Sequence, residues 1–363
     1  MRIAYIINSA GFGGAELPTP AICRVLQEAG HEVIVFVLCK GDGLSLPLWK
    51  KSKLNVFIRH GNRKDHLAAL FWLFQHFQTW KPDIIWTSLV RSTLLGQIIG
   101  QKLNIPVVSW RNTVKPKLIN HILLRLCHSA SCLWIGDSQA TTKYLTRKLH
   151  IPPEKVTCWP IFQATPSAPH AKPWQQGLPL HLGSLGRLSP EKGYDILIKA
   201  VSLLDEKTLS IPFHITIVGE GPERQNLQSL INQHNLQNHI TLVGFLHNPH
   251  PFLSSLHLYL QPSQFEGFCI AAHEAMYAGL PVLTSHVGEL KYSVQNNKTG
   301  WSIQPNNPIT LSNTIKNALL NPHTLAPMGQ NARNYVSQTF SPEDFVYNGN
   351  IVLEKIYNLT GLK

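Results

Sequence analysis

The sequence contains no apolar run of eighteen or more residues free of charge, which excludes a helix able to span a bilayer. The first apolar stretch is too short for a secretory leader and runs at once into a glycine-rich turn, as a first buried strand would. Acidic residues are scarce: 20 Asp and Glu stand against 32 Lys and Arg, for a formal net charge of +12. No Asp-x-Asp pair occurs, which argues against a divalent-metal clamp of that type. The eighteen histidines show no His-x-His or His-Glu-x-x-His spacing, so no metal site is expected. The six cysteines form no Cys-x-x-Cys pair, and most lie in apolar segments where a free Cys acts as a small core residue. A reducing, cytoplasmic compartment follows. No helix-turn-helix, zinc finger or aromatic RNA-binding signature is present. The basic excess therefore points away from nucleic acid and toward an anionic membrane surface or a phosphorylated substrate.

What is present is a globular chain of 363 residues, 44% hydrophobic and only 14% charged, long enough for two α/β domains. Short apolar strands (RIAYIIN, EVIVFVL, DIIWTS, PVVSW, LWIGDSQ) alternate with helical segments over the first half. Uninterrupted apolar strands between helices mean a parallel sheet covered on both faces. The text then loses periodicity and fills with Pro, Ala and Gln, a linker composition. The rhythm restarts with LHLGSLGR, HITIVGEG, ITLVGFL, LYLQPS and PVLTSH, a second Rossmann-like sheet. The expected organisation is thus a Rossmann-like domain over 1–163, a linker over 164–179, a second doubly wound parallel-sheet domain over 180–340, and a C-terminal helix over 341–363 packing back toward the first domain. Ser341 and Pro342 signal that helix's start.

Three constellations carry chemistry. In EGFCIAAHEAMYAGLPV, Glu266 and Glu274 stand eight residues apart, and Gly267 follows the first directly. A helix is predicted from just after Gly267 to Gly279, with Glu266 on the loop before it and Glu274 about two turns inside, roughly 10 Å along the axis. Loop amides and a carboxylate at a helix N-terminus can grip sugar hydroxyls. The same residues also suit a helix cap and a solvated helix position. In GRLSPEKGYDILIKA, Arg187 and Lys192 end a strand and precede a helix, five residues apart. A fork and a point charge so placed suit a diphosphate, though an ordinary surface turn would read alike. In NSAGFGGAE, Gly11, Gly13 and Gly14 let backbone approach a ligand. Because Gly13 and Gly14 are adjacent, the dinucleotide fingerprint Gly-x-Gly-x-x-Gly fails, and no acidic residue ends the second strand.

Taken together and in order, GGAE, GRLSPEKG, VGEGPER, VGFL, PSQFEGFCIAAHEAMYAGLPV and MGQNAR resemble glycosyltransferase family 4, from near residue 3 to about residue 358. The resemblance implies a GT-B fold, two Rossmann-like doubly wound domains facing across a cleft. It implies transfer of a sugar from a nucleotide-diphosphate sugar, a UDP- or GDP-sugar, with retention of anomeric configuration. No separate cofactor or metal is implied. Arg187 and Lys192 would neutralise the departing diphosphate, Glu266 would bind hydroxyls of the transferred sugar, and Glu274 the ribose. Gly13, Gly14, Gly186, Gly267, Phe268, Cys269 and Ile270 would line the donor, with the backbone amides of Gly267, Phe268 and Cys269 near the sugar. Glu16 would open the first helix beside the acceptor.

Departures from the family pattern fall on the sugar and acceptor side. Trp110, Arg111 and Asn112 stand where many members carry a His that contacts the transferred sugar, so either Arg111 or Asn112 takes over part of its role or the acceptor is bound differently. Val287-Gly288-Glu289 replaces a double glycine, and Trp159-Pro160-Ile161 replaces the hinge motif. In KPKLINHILLRLCH, Lys117, His121, Arg125 and His128 recur every three to four residues opposite Leu118, Ile119, Ile122, Leu123 and Leu126. This basic amphipathic pattern fits a membrane-interface helix, or a surface helix packed on its own sheet. The aromatic run LAALFWLFQHFQTW is expected in the core. The favoured acceptor is a polyprenyl-diphosphate or lipid-linked saccharide at the inner membrane face, in cell-surface polysaccharide or lipopolysaccharide assembly. The alternatives are a free small-molecule acceptor and an inactive nucleotide-binding scaffold.

Overall fold

The computed structural model describes residues 1–11, 13–114, 117–165, 169–205, 209 and 211–362. They form two compact units, Met1–Phe162 with Glu343–Lys363, and Gln163–Pro342. In the first unit β1 (Arg2–Ile7), β2 (Glu32–Val37), β3 (Asn55–Ile58), β4 (Ile84–Ser88), β5 (Val107–Arg111), β6 (Leu133–Gly136) and β7 (Val156–Cys158) pair in the order β3-β2-β1-β4-β5-β6-β7. All pairs are parallel. Every residue of β4 and β5 is buried, as strands covered on both faces require. The crossovers carry α1 (Thr19–Glu28), α2 (Leu46–Lys51), α3 (His66–Trp80), α4 (Val90–Leu103), α5 (Leu118–Cys127) and α6 (Gln139–Lys148).

The second unit holds β8 (Leu180–Leu185), β9 (Phe213–Val218), β10 (Ile240–Gly244), β11 (Leu258–Gln261), β12 (Val282–Ser285) and β13 (Gly300–Ile303), in the order β10-β9-β8-β11-β12-β13. Its helices are α7 (Tyr194–Ser202), α8 (Arg224–Gln233), α9 (His250–Ser254), α10 (Ile270–Tyr277), α11 (Leu290–Ser293), α12 (Pro308–Leu320) and α13 (Leu325–Thr339). In both sheets the strand order reverses once, at β1/β4 and at β8/β11. There the crossovers depart in opposite directions and leave a crevice beyond the carboxyl ends of the strands, where ligands of such sheets bind.

The stretch of linker composition lies wholly within the second unit. Ala164 N–H donates to Phe340 O and Ala171 N–H to Ala278 O, both at 2.7 Å, and Trp174 packs against the core. Residues 166–168 of that stretch lie outside the described residues, as do Lys115 and Pro116 ahead of α5 and Phe12 of the glycine turn. The last helix, α14 (Pro342–Thr360), begins with Pro342 and the acidic Glu343 and Asp344, all favourable at a helix start. It packs into the first unit through Gly349, where a Cβ would stand 2.6 Å from Trp159 Cζ2 and 2.7 Å from Val25 Cγ1. Lys355 Nζ donates to Val156 O at 3.2 Å.

Two apolar helices behave unlike ordinary core helices. On α3, Ala69, Leu73 and Phe77 supply a buried stripe, while Leu67 and Phe71 are exposed. On α5 only Leu124 is buried; Leu118, Ile119, Ile122, Leu123 and Leu126 are all exposed. By the 3.6-residue period these five share one side of the helix, roughly opposite Leu124. His121, on the inward side, meets Tyr144 Oη at 2.7 Å. The helix therefore docks by its polar side and turns its apolar stripe to solvent.

Candidate active site

The β8/β11 switch point of the second unit collects the residues of the two strongest motifs. β8 runs out into Gly186 and Arg187, and Gly186 N–H donates to Val218 O at 3.0 Å. A short 3-10 turn, Pro190–Lys192, then leads into α7. Gly193 joins them at φ 67°, and a Cβ there would lie 2.2 Å from Pro262 O. Only glycine fits this left-handed, crowded position, which presses the turn bearing Lys192 against the segment leaving β11. The two strands pair only at Leu258↔Leu182 and Tyr259↔Gly183 before they part. Tyr259 Oη accepts from Leu185 N–H at 3.1 Å and bridges the parting strands.

Across this junction Lys192 Nζ and Glu266 Oε1 form an ion pair at 2.7 Å, their side chains 20% and 9% exposed. Glu266 Oε1 also accepts from Ser263 Oγ at 2.7 Å and Gln261 Nε2 at 3.2 Å. Burial alone would lower the Lys192 pKa, but the adjacent Glu266 carboxylate outweighs it and holds the ammonium above its ordinary value. Lys192 is thus a fixed cation at neutral pH. Burial pushes the neighbouring Tyr194 phenol up to about 12, so it stays neutral. Arg187 is exposed at the same strand end, and among the described residues none of the ion pairs includes it.

The helix carrying Glu274 starts later than its sequence pattern predicts. Cys269 takes a left-handed conformation, φ 68° and ψ 68°, and α10 begins at Ile270. Glu274 is therefore little over one turn inside rather than two, and the axial estimate from Gly267 does not apply. Burial pushes its carboxyl from 4.5 up to about 7. The folded protein thus favours the neutral acid: this contribution is complete below the ordinary carboxylate range and is lost as pH rises through about 7. A non-glycine residue held left-handed at a helix entrance stores strain of about 1–3 kcal/mol, which the surroundings must maintain.

Those surroundings are visible. The Phe268 ring is buried against His273, at 4.1 Å between centroids, and Phe340, at 5.1 Å. Only its backbone can serve a ligand. Burial pulls the His273 imidazole down to about 4, and its Nε2 meets Ser293 Oγ at 2.8 Å. Gly267 O accepts from Glu289 N–H at 2.8 Å. Behind it Gly288, at φ 55°, comes so close that a Cβ would lie 2.4 Å from Gly267 O and 2.6 Å from Glu266 O. The single glycine retained in Val287-Gly288-Glu289 is therefore the one the backbone contact demands.

The remaining predicted residues belong to the first unit. Gly13 O accepts from Glu16 N–H at 3.2 Å and Leu17 N–H at 3.0 Å, closing a turn that includes Gly14. Glu16 does not open α1, which starts at Thr19. Pro18 and Pro20 lack an N–H and are tolerated only around a first helical turn, so the helix is set around them. Glu16 lies in the preceding turn, 8% exposed, and accepts from Ser9 Oγ at 3.3 Å. Arg111 ends β5 and is buried, while Asn112 just beyond accepts from Ser88 Oγ at 3.4 Å. Three side chains of the Glu266 network, Tyr194, Gln261 and Ser263, were not singled out from the sequence. Gln261 closes the strand LYLQ at the carboxyl edge of a parallel sheet, a position that could have marked it. Among the described residues no group of three His, Cys, Asp or Glu side chains comes together as metal ligands would.

Comparison with known proteins agrees with this layout. A family profile described as "Glycosyl transferases group 1" matches residues 174–335, and one described as "Glycosyltransferase Family 4" matches residues 12–162. A poly(ribitol-phosphate) alpha-N-acetylglucosaminyltransferase of Staphylococcus aureus is 29% identical over 182 residues, 49% of this chain and 34% of that protein. An O-antigen biosynthesis glycosyltransferase of Escherichia coli is 31% identical over 105 residues, 29% of this chain and 28% of that protein. The matches to such curated relatives span between 28% and 52% of the relatives' own lengths. The Anabaena HepE protein, solved with UDP-glucose, superposes with a TM-score of 0.82 at 20% identity, covering 98% of this chain and 99% of that one. The shared architecture is the GT-B fold, two Rossmann-like domains.

Proposed function

Because the chain belongs to the family 4, group 1 glycosyltransferases, we propose that it moves a hexosyl or N-acetylhexosaminyl residue from a UDP- or GDP-sugar to a hydroxyl of a saccharide acceptor. The acceptor is lipid-linked, in the assembly of a cell-surface polysaccharide, and transfer retains the anomeric configuration. The observation that carries this reading is the Lys192–Glu266 pair at the β8/β11 switch point, with Arg187 exposed at the neighbouring strand end. As the glycosidic bond breaks, positive charge spreads over the sugar and negative charge grows on the diphosphate. Preorganised cations stabilise that charge more in the transition state than in the ground state. Lys192 and Arg187 fill this role without a divalent metal. Glu266, held by three donors, accepts from sugar hydroxyls beside Gly267 and Cys269, and Glu274 accepts from the ribose. Family relatives that act on poly(ribitol phosphate) and in O-antigen biosynthesis support a cell-surface product. The test is a donor screen in EDTA. One diphosphate, UDP or GDP, will raise the melting temperature, and its sugar conjugate will be turned over at an unchanged rate in the chelator. Failure of UDP, GDP and ADP alike to stabilise the protein would overturn the reading.

The outward apolar stripe of α5 supports peripheral association with the inner membrane face. Leu118 and Leu126 are 75% and 73% exposed, and Lys117 and Arg125 accompany them. A helix with apolar residues outward and cations beside them suits an anionic bilayer interface. The protein will sediment with anionic vesicles at low ionic strength and be released in high salt, where screening is short-ranged. Leu118→Asp with Leu126→Asp will abolish sedimentation without lowering the melting temperature, since neither side chain is in the core. Equal recovery in the supernatant with and without vesicles would favour a soluble acceptor.

A further inference from the structure

Arg111 closes β5, the neighbour of β4, and so stands beside the switch point of the first sheet. It is 2% exposed. Its Nε donates to Thr113 O at 3.1 Å, and its guanidinium carbon lies 5.9 Å from the centre of the Tyr144 ring. These contacts fix the plane of the fork but do not complete it. Among the described residues Nη2 has no hydrogen-bond partner, and none of the ion pairs includes Arg111. Asp137, at the end of β6, attracts the guanidinium, yet the same carboxylate accepts from Ser138 Oγ at 2.9 Å and Thr141 Oγ1 at 2.6 Å. Burial lowers the Arg111 pKa to about 10, which leaves it charged at neutral pH.

A buried guanidinium whose Nη2 finds no partner among the described residues is costly. Other cations stand at the carboxyl ends of β3 and β4 in the same sheet. Arg59 and Arg91 share the single carboxylate of Asp65, at 2.6 Å and 2.9 Å, two positive charges against one. The turn from β4 into α4 passes through Leu89 at φ 77° and ψ 162°, a conformation almost reserved for glycine, which marks a backbone shaped for more than packing.

We propose that Arg111 is the anchor for a phosphate oxyanion carried by the acceptor. The planar fork matches a phosphate bidentately, and a buried fork held on Tyr144 is already oriented for it. The inference rests on the proposed function only in calling the bound molecule an acceptor, and its test is independent of donor binding. The probe is inorganic pyrophosphate, titrated calorimetrically into an Arg187→Ala/Lys192→Ala protein that lacks the donor-side cations. Saturable binding is expected. Adding Arg111→Gln should weaken it roughly tenfold to a hundredfold, the worth of a charge-assisted contact. Arg111→Lys, which keeps the charge without the fork, should recover part of the affinity and carries the test if the Gln variant fails to fold. Displacement of pyrophosphate by a short prenyl diphosphate identifies a lipid-borne phosphate, and displacement by a hexose 1-phosphate a soluble one. No saturable binding, equal affinity after Arg111→Gln, or failure of both competitors would overturn the proposal. UDP binding measured on the otherwise unaltered Arg111→Gln protein separates the two ideas. If UDP binds there while pyrophosphate fails to bind the Arg187→Ala/Lys192→Ala protein, this inference falls and the donor reading stands.

Discussion

Lys192→Ala will lower kcat/KM for sugar transfer by about 10²–10³-fold, the range observed when one preorganised donor to a developing charge is removed. The same substitution will weaken UDP or GDP binding and destabilise the protein. Glu266 is left with the hydroxyl of Ser263 and the amide of Gln261 but no counter-charge. Removing one partner of a buried pair costs about 3–5 kcal/mol, and with Lys192 20% exposed the lower end applies. The two effects can be separated. Lys192→Ala/Glu266→Gln removes both charges, so it should recover much of the melting temperature and none of the turnover. A single Lys192→Ala protein within threefold of wild-type kcat/KM, with unaltered nucleotide affinity, would remove Lys192 from the chemistry.

Gly288→Ala is expected to be nearly as damaging, although residue 288 offers no side chain to any ligand. The added methyl would overlap Gly267 O at 2.4 Å and Glu266 O at 2.6 Å, and φ 55° is itself unfavourable for an L-residue. The backbone that presents Glu266 must shift, so the donor KM will rise and stability will fall by roughly 2–4 kcal/mol. Gly177→Ala supplies the control. Gly177 has φ 87° in the same unit, but a Cβ there meets nothing within 4 Å. Its loss should be limited to the conformational part, about 1 kcal/mol, with KM unchanged. Equal melting temperatures and equal KM values for the two variants would show that the contact behind Glu266 is not what demands glycine.

The two strongest motifs were legible because each is local. Arg187, Lys192 and Gly193 follow one strand within a few residues, and Glu266, Gly267 and Glu274 flank one helix start. Apolar strands alternating with helical segments fixed the class of both sheets for the same reason, since a period of two or of 3.6 is read over a handful of neighbours. α10 starts later than its pattern predicts because an apolar, helix-favouring run gives no sign that Cys269 is left-handed, a conformation held by the tertiary packing around Phe268 and Gly288. Glu16 falls outside the first helix because Pro18 and Pro20 delay its start to Thr19.

Two features had no local signal. The pattern of α5 showed that it is amphipathic but not which side docks, because that depends on His121 meeting Tyr144 and on Leu124 finding a buried pocket. The partner of Lys192 lies 74 residues away, and it is found only once the strand order sets β8 beside β11. By itself, then, the sequence determined the architecture of each half and set Arg187 and Lys192 together at one strand end. Local periodicity and glycine placement suffice for both. Tertiary structure alone decided that Lys192 and Glu266 form one half-buried pair, that Arg111 Nη2 has no partner among the described residues, and that the apolar side of α5 faces outward. Those outcomes depend on which strand ends become neighbours in a parallel sheet, and the crossover connections set that order across long stretches of chain.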